Sequence, residues 1–452
     1  MPSSKLFVKL LLVATLSFLL LSGLTVAQKD KDKGNKKQKL AAPIAPEPVP
    51  RTPYSDVRRE QLLNGLQIIS LENQTEAKVT CELVIRGGAM FDLVGKAGLA
   101  DLTVESLLAV YPNLDSDLES LQAKLDWGVT LDSTWFRLEA PASNLQDAMS
   151  RVARLLVVDN IRQDAFKNAQ QAQLGKFAAL KMTPAAQADE AFFTTLYGDH
   201  PYAHNVVGTA ATIPTIRYGD VAEFYKRVYL GNNMFVLVQG NLKHERAMSL
   251  FRMYFGGWVK GVPAPPTFRP PQRTLEVRVQ KVEQPDALNV EIRGGVLGVS
   301  HTDADFIPTM LLARILENRI RQLDAQATAH FAPRMLAAPL FFSASVPTSN
   351  AVEYSRRATD IFASLNKAEF TEAELAAAQS SLLNEHRNRP VHEYLREIAT
   401  FKLPETYPLT YETKVKAVAT SDLQRVAKRL LEANALTLLV LGKVTENFKS
   451  QS

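Results

Sequence analysis

Asp101 and Glu105 lie four residues apart. On a helix that spacing puts both carboxylates on one face. There they could offer oxygen ligands to a hard cation such as calcium or magnesium. Two carboxylates alone make a weak site, and like charges at this spacing repel; a polar pair with no ligand is the plainer reading. His200 and His204 occur as His200-Pro201-Tyr202-Ala203-His204. Zinc-binding histidines at i and i+4 ride on a helix, and Pro201 makes this stretch a turn. His386 and His392 flank Arg387, Arg389 and Pro390 near a helix end, which suits surface or capping roles. Gly294-Gly295-Val296-Leu297-Gly298 has the composition of a phosphate loop, but no helix opening with Lys-Ser/Thr follows. Cys81 is the single cysteine. It allows no intramolecular disulfide and no thiolate zinc cluster, and in a strand-like run it reads as an inert core thiol.

Composition and charge narrow the class. The 452 residues are 46% hydrophobic and 22% charged, which fits a globular chain. The net charge of +5 is uneven. Residues 1–27 contribute +2 and residues 28–51 carry seven basic against three acidic side chains, leaving −1 for the rest. A body of that charge lacks the basic face that nucleic acid requires. Lys5 and Lys9, an apolar run from Leu10 to Leu21 and Thr25-Val26-Ala27 read as a signal peptide over 1–27. Residues 28–53 are rich in Lys and then in Pro, an extended tether. The expected location is outside the cytoplasm, periplasmic or secreted, with no stable membrane insertion after the signal is removed.

The remainder repeats itself. Ile85-Arg86-Gly87-Gly88 returns as Ile292-Arg293-Gly294-Gly295, an offset of 207. Gly240 and Gly442 end similar apolar runs, Asp220 pairs with Asp422, and Lys226-Arg227 with Lys428-Arg429, each offset by 202. These collinear matches indicate a duplication, with a first unit over 54–262 and a second over 272–449, separated by Pro263 to Pro271. Strands are expected over Gln67–Ser70, Val79–Ile85, Val129–Leu138, Phe235–Gln239 and Leu436–Leu441. Helices are expected from Gly98 to Leu108, over Asn144–Leu156, Arg162–Lys181, Ala185–Tyr197 and Tyr218–Tyr229, and again at Glu353–Asn366, Glu372–Arg387 and Ser421–Ala433. The paired glycines at 87–88 and 294–295 are expected to turn the chain at strand ends. Strands and helices in blocks give an α+β class: two homologous domains, each a largely antiparallel sheet with helices packed on one face.

From Tyr54 to Lys449 the chain resembles the pitrilysin/insulinase-type metallopeptidases, which include the mitochondrial processing peptidases. The carriers are Arg86-Gly87-Gly88-Ala89, Ala97-Gly98-Leu99-Ala100, Leu196-Tyr197-Gly198-Asp199-His200-Pro201-Tyr202 with Gly208, and Phe224-Tyr225 through Asn232-Asn233-Met234 to Val238-Gln239-Gly240-Asn241-Leu242. The resemblance implies two related halves closing like a clamshell around a substrate chamber. It also implies a zinc site: H-x-x-E-H on the first helix and a second glutamate roughly 75 residues later, with the motif glutamate activating water. Aligned on Gly98-Leu99-Ala100, Asp101 and Glu105 stand where the histidines belong and Val104 where the general base belongs. Valine takes no proton. All seven histidines lie at or after position 200, and residues 166–188 contain no acid. The distal position is expected around Gln173 to Lys176. No catalytic, cofactor-binding or metal-ligating residue is therefore assigned, and no cofactor is expected.

The resemblance then implies an exported, catalytically inactive homologue that serves as a non-catalytic subunit, helping a zinc-bearing homologous partner to form a chamber for extended peptides. Two alternatives stand beside it. One is a zinc-dependent endopeptidase with atypical ligands, and the other a free-standing periplasmic peptide-binding protein.

Overall fold

The computed structural model describes residues 57–443 except 159, 182, 264–267, 274–275 and 432–434. The signal peptide and tether expected over 1–27 and 28–53 lie outside the described residues, as does part of the Pro-rich break. The first half contains β1 (Val57–Gln61), β2 (Gln67–Glu72), β3 (Lys78–Ile85), α1 (Leu99–Val110), α2 (Leu114–Ser120), β4 (Lys124–Val129), β5 (Thr134–Pro141), α3 (Leu145–Leu156), α4 (Gln163–Lys181), α5 (Pro184–Tyr197), α6 (Tyr218–Val228), β6 (Met234–Gly240) and α7 (His244–Phe255). The second contains β7 (Arg278–Glu283), β8 (Asn289–Leu297), α8 (Phe306–Arg321), β9 (Thr328–His330), β10 (Pro339–Pro347), α9 (Ala351–Ser364), α10 (Glu372–Asn388), α11 (Val391–Phe401), α12 (Tyr407–Lys416), α13 (Thr420–Leu430) and β11 (Thr437–Gly442). Among the described residues no helix is long and apolar enough to cross a membrane.

Both sheets share one topology. The first runs β1-β2-β6-β3-β5-β4 and the second β7-β11-β8-β10-β9. Remove β1 and the orders correspond, including one parallel pair in each, β2 with β6 and β7 with β11. Side-chain detail repeats too. Gln170 Nε2 donates to the carbonyls of Ile213 and Ile216, and Gln379 Nε2 to those of Val415 and Val418. Asp220 and Asp422 each accept from a backbone N–H at the start of α6 and α13. The α+β reading with helices on largely antiparallel sheets matches this architecture.

Strand alternation divides each sheet into two faces. Val79, Cys81, Leu83 and Ile85 of β3 pack with α1, α3, α6 and α7 in the first core. Val290, Ile292 and Val296 of β8 pack likewise against α8 and α9. The opposite faces are covered by exchange. Helix α5 of the first half packs on β8 and β11, and α11 of the second half packs on β3 and β6. On the second sheet Phe192 lies with its ring 5.2 Å from that of Phe341, amid Leu297, Leu439 and Leu441. On the first sheet the fully buried Glu82 pairs with Arg137 at 3.0 Å and with Arg396 of α11. Arg86 Nε donates to the carbonyl of Ala399 at 2.7 Å. Thus each sheet carries its own helices on one face and a borrowed helix on the other.

Two local expectations change. The strand expected over Val129–Leu138 is the second half of a hairpin. β4 and β5 pair antiparallel around residues 130–133, where Thr130 Oγ1 accepts from the backbone N–H groups of Asp132 and Ser133. The turn uses a threonine hydroxyl without glycine or proline, so β-rich flanks hid it. Gly294 and Gly295 do not end a strand; they lie inside β8. A Cβ at Gly294 would sit 2.4 Å from the Phe342 ring and one at Gly295 2.4 Å from Phe341 Cβ, so here glycine makes room for neighbouring aromatics.

Helix exchange makes the halves mutually dependent. All three tryptophans, Trp127, Trp135 and Trp258, belong to the first half, whereas Phe192 seats on the second sheet. Phe192→Ala should cost about 3–5 kcal/mol, the usual loss for a buried phenylalanine. In urea, tryptophan fluorescence and far-ultraviolet circular dichroism should shift together to a lower midpoint. Separated midpoints would mean that the halves unfold independently.

Candidate functional site

The residues singled out by spacing meet at the crossing of α1 and α4. Gly98, before α1, adopts φ +97°, and a Cβ there would come 2.6 Å from the carbonyl oxygen of Val207. Gly208 faces it with φ +84° and would place a Cβ 2.3 Å from the Ala97 oxygen. The two glycines let their segments touch backbone to backbone. Gln173 of α4 is fully buried; its Nε2 donates to the carbonyls of Gly98 at 2.9 Å and Val207 at 2.7 Å. Gly98 has no side chain to cap α1, so Asp92 does it, accepting from the N–H groups of Gly98 at 2.7 Å and Ala100 at 2.8 Å. The start of α1 is therefore fixed against α4.

One turn further in, Asp101 and Glu105 face Lys176 of α4. Lys176 Nζ lies 3.0 Å from both Asp101 carboxylate oxygens and 3.4 Å from Glu105 Oε1. The Asp101 side chain is 3% exposed and that of Lys176 39%. The ammonium also sits 5.0 Å over the Trp127 ring from β4. Burial pushes the Asp101 carboxyl above its ordinary value, while the adjoining Lys176 charge pulls it back and Glu105 adds to the rise. The like-charge repulsion evident in the sequence is offset by one cation placed between the two carboxylates. Of the candidates between Gln173 and Lys176, Gln173 serves the loop and Lys176 faces α1. The fact that residues 166–188 are acid-free could not choose between them.

Val104 is fully buried among the apolar side chains of the first core and presents no titratable atom. No histidine joins the group. His200 caps a short 3-10 turn, its Nδ1 accepting from the Tyr202 N–H at 3.0 Å, and its Nε2 meets the Arg269 carbonyl at 3.1 Å. His386 stacks on Tyr411 at 4.7 Å and its Nδ1 bonds to Tyr394 Oη. Cys81 is fully buried in the sheet, and burial pushes its thiol far up, out of thiolate chemistry.

The donor set does not fit a zinc ion. Zinc takes imidazole, thiolate or carboxylate ligands in a tight tetrahedron. Here two carboxylates are already engaged by an ammonium, and a cation between them would have to displace Lys176. Among the described residues no three His, Cys, Asp or Glu side chains gather as a metal site. What this arrangement can do is mechanical: it ties α1 to α4 by charge. No step of hydrolysis follows from it.

Its energetics are testable through pH. Lys176→Met leaves Asp101 buried with no countercharge and raises its carboxyl further. An acid whose folded value exceeds its unfolded one binds more protons when folded, so stability falls as pH rises from about 4 through that folded value. The variant should lose about 1–2 kcal/mol at pH 7.5, discounted for the exposure of the lysine. Its deficit should shrink toward pH 4.5, and Asp101→Asn in the same chain should abolish the pH dependence of the deficit. Urea midpoints at the two pH values measure this; a deficit that does not vary with pH would refute the charge account.

Comparison with known proteins adds the lineage. Residues 215–382 match the family model described as the Peptidase M16 inactive domain. That match does not reach α1, so it bears on kinship and not on the Asp101 cluster. Over 203 residues the chain is 25% identical to the zinc protease PqqE of Helicobacter pylori, covering 43% of this chain and 45% of that one. Over 231 residues it is 23% identical to the probable mitochondrial-processing peptidase subunit beta of Schizosaccharomyces pombe, covering 49% of each. The aligned part spans about half the length of these curated relatives. The crystal structure of a peptidase M16 inactive domain from Pseudomonas fluorescens superposes with a TM-score of 0.79 at 19% identity, covering 86% of this chain and 99% of that one, and shares its fold. Motifs, duplicated sheets and the matched model agree in their likeness to the pitrilysin/insulinase-type metallopeptidases, the M16 peptidases, by sequence over residues 215–382 and by fold over most of the chain.

Proposed function

We propose that this chain is an exported, catalytically inactive M16 homologue that pairs with a zinc-bearing homologous subunit and helps form a chamber for extended peptides. The observation that carries the reading is Lys176, whose ammonium contacts Asp101 and Glu105 at 3.0 and 3.4 Å where the family would place a metal. Val104, at the general-base position, supports it, since a buried isopropyl group cannot activate water. Pairing draws support from the relative named as a subunit, the mitochondrial-processing peptidase beta chain. Export draws support from the signal-like residues 1–27.

Purified chain should contain no stoichiometric zinc by elemental analysis and cleave no peptide library. Tagged chain recovered from native envelope extract should bring down a homologue carrying H-x-x-E-H. One equivalent of tight zinc with chelator-sensitive cleavage would instead establish the atypical-ligand peptidase. Recovery of the chain alone would favour the free-standing peptide binder.

Rebuilding the metal site tests the Lys176 assignment separately. Asp101→His with Glu105→His leaves the ammonium in place and should bind zinc weakly. Adding Lys176→Glu supplies the third ligand of a catalytic-type zinc site and should raise affinity about 100-fold or more, a gain of at least about 2.7 kcal/mol. Competition against a chromogenic chelator reads this without requiring turnover. Val104→Glu would then be needed for cleavage, at the cost of burying a carboxylate. Restoring the motif on α1 alone, with Asp101→His, Val104→Glu and Glu105→His, should give negligible turnover. Equal zinc affinity with and without Lys176→Glu would show that the third ligand lies elsewhere.

A further inference from the structure

A second polar site lies between the halves, away from α1. A cavity of about 510 Å³ opens between the β4–β5 turn, the segment before β10 and helix α11. Its size is that of a small-ligand pocket. Arg334, Arg389 and Arg396 line it together with Leu131, Thr400 and Phe401. Two of the arginines are partly committed. Arg389 donates through Nε and Nη2 to Glu393 and Glu397, at 3.1 and 2.7 Å. Arg396 gives Nε and Nη2 to Glu82.

Arg334 differs. Among the described residues its one side-chain hydrogen bond is from Nη1 to Tyr197 Oη at 3.3 Å, and no carboxylate lies within ion-pair distance of it. Three aromatic rings hold the guanidinium instead: Tyr202 at 5.1 Å, Tyr197 at 5.5 Å and Phe193 at 5.6 Å. The nearby Asp132 is turned to other partners, accepting from Tyr202 Oη and from the Met335 N–H at 3.2 Å. Tyr202 Oη in turn accepts from the Leu336 N–H at 3.1 Å, which fixes the backbone beside Arg334. Asp132 acts on Arg334 only from beyond ion-pair distance, and a partly buried cation with no direct carboxylate partner is costly to hold; ring faces offset only part of that cost. The same cavity presents Thr400, 4% exposed, whose Oγ1 has no hydrogen-bond partner. A fixed guanidinium and a threonine with an unused hydroxyl therefore line one cavity.

We propose that this cavity binds a carboxylate of an extended peptide, with Arg334 as its fork-shaped donor and Thr400 as a second contact. The proposal rests on the peptide-holding part of the function proposed above. A planar monoanion matches the bidentate geometry of a guanidinium. A dianion such as phosphate suits the cavity less well, because Asp132, Glu393 and Glu397 also line it. Leu131 and Phe401 supply apolar wall for the neighbouring side chain. The carboxylate is either the peptide C-terminus or an Asp or Glu side chain.

Immobilised full chain is exposed to three N-acetylated random octapeptide libraries: free C-terminus without Asp or Glu, amidated without Asp or Glu, and amidated with Glu. Retained peptide is quantified by mass spectrometry. Either the free-acid library or the Glu library should be retained about 10-fold above the acid-free amide, and which one it is identifies the source. Arg334→Met should bring retention of that library to within about 2-fold of the amide, and Arg334→Lys should fall between, since it keeps the charge and loses the fork. Urea midpoints confirm that each variant is folded. Should Arg334→Met not fold, the comparison with Arg334→Lys decides. Equal retention of all three libraries, or a preference untouched by either substitution, overturns the site. The isolated chain is used throughout, so failure here leaves subunit pairing to be judged by co-purification.

Discussion

Each sheet has two faces that must be kept from water, and a half has helices of its own for only one of them. The inner face of the first sheet presents Ile69, Val84, Phe235 and Leu237 around Glu82; that of the second presents Leu297, Phe341, Leu439 and Leu441 around Arg293. Exchange of α5 and α11 satisfies both sheets at once. It also explains the two charges buried at those faces. Glu82 has Arg137 and Arg396, and Arg293 has Glu291 and Asp189. A buried charge is tolerated only when paired, and in both cases one partner comes from the borrowed helix. Each sheet therefore depends on a helix from the other half, and the cavity lined by Arg334 lies where the halves meet.

The α1–α4 crossing is held by three devices of different kinds. Gly98 and Gly208 allow backbone contact, Gln173 bridges two carbonyls, and Lys176 joins two carboxylates. The first two are independent of any metal. A helix pair so fixed keeps its geometry whichever side chains stand at 101, 105 and 176.

The duplication was legible because a repeated fold repeats its backbone needs. Asp220 and Asp422 cap equivalent helices, and Gly240 and Gly442 end equivalent strands with φ of +120° and +146°. The identity of Asp101, Val104 and Glu105 was legible for the same reason: Gly98 fixes the start of α1. What was not legible depends on contacts between distant segments. Periodicity cannot say which sheet an amphipathic helix will cover, so the exchange of α5 and α11 left no mark on the sequence. Gly294 and Gly295 repeat Gly87 and Gly88 in type but not in role, because Phe341 and Phe342 of β10 occupy the space above them. Arg334 sits in an irregular segment without period, and only the rings of Phe193, Tyr197 and Tyr202 reveal that its charge is held in place.

The second half carries the corresponding crossing between α8 and α10. Carried over by the offset of 207 that relates the first helices, Asp101 and Glu105 correspond to Pro308 and Leu312 of α8, and Leu312 is fully buried there in an apolar core. That crossing of α8 and α10 is tied by charge at other positions, Arg314 with Glu385 and Arg319 with Glu374 at 2.9 Å. Replacing a buried ion pair with apolar side chains is often neutral or stabilising. The fold therefore does not require carboxylates at the positions of Asp101 and Glu105. Glycine contact and the Gln173 bridge already fix the α1–α4 crossing. Charge at this position is thus a property of the site and not a demand of the fold, and its effects are to be sought in the electrostatics of the surface that α1 and α4 share with Trp127.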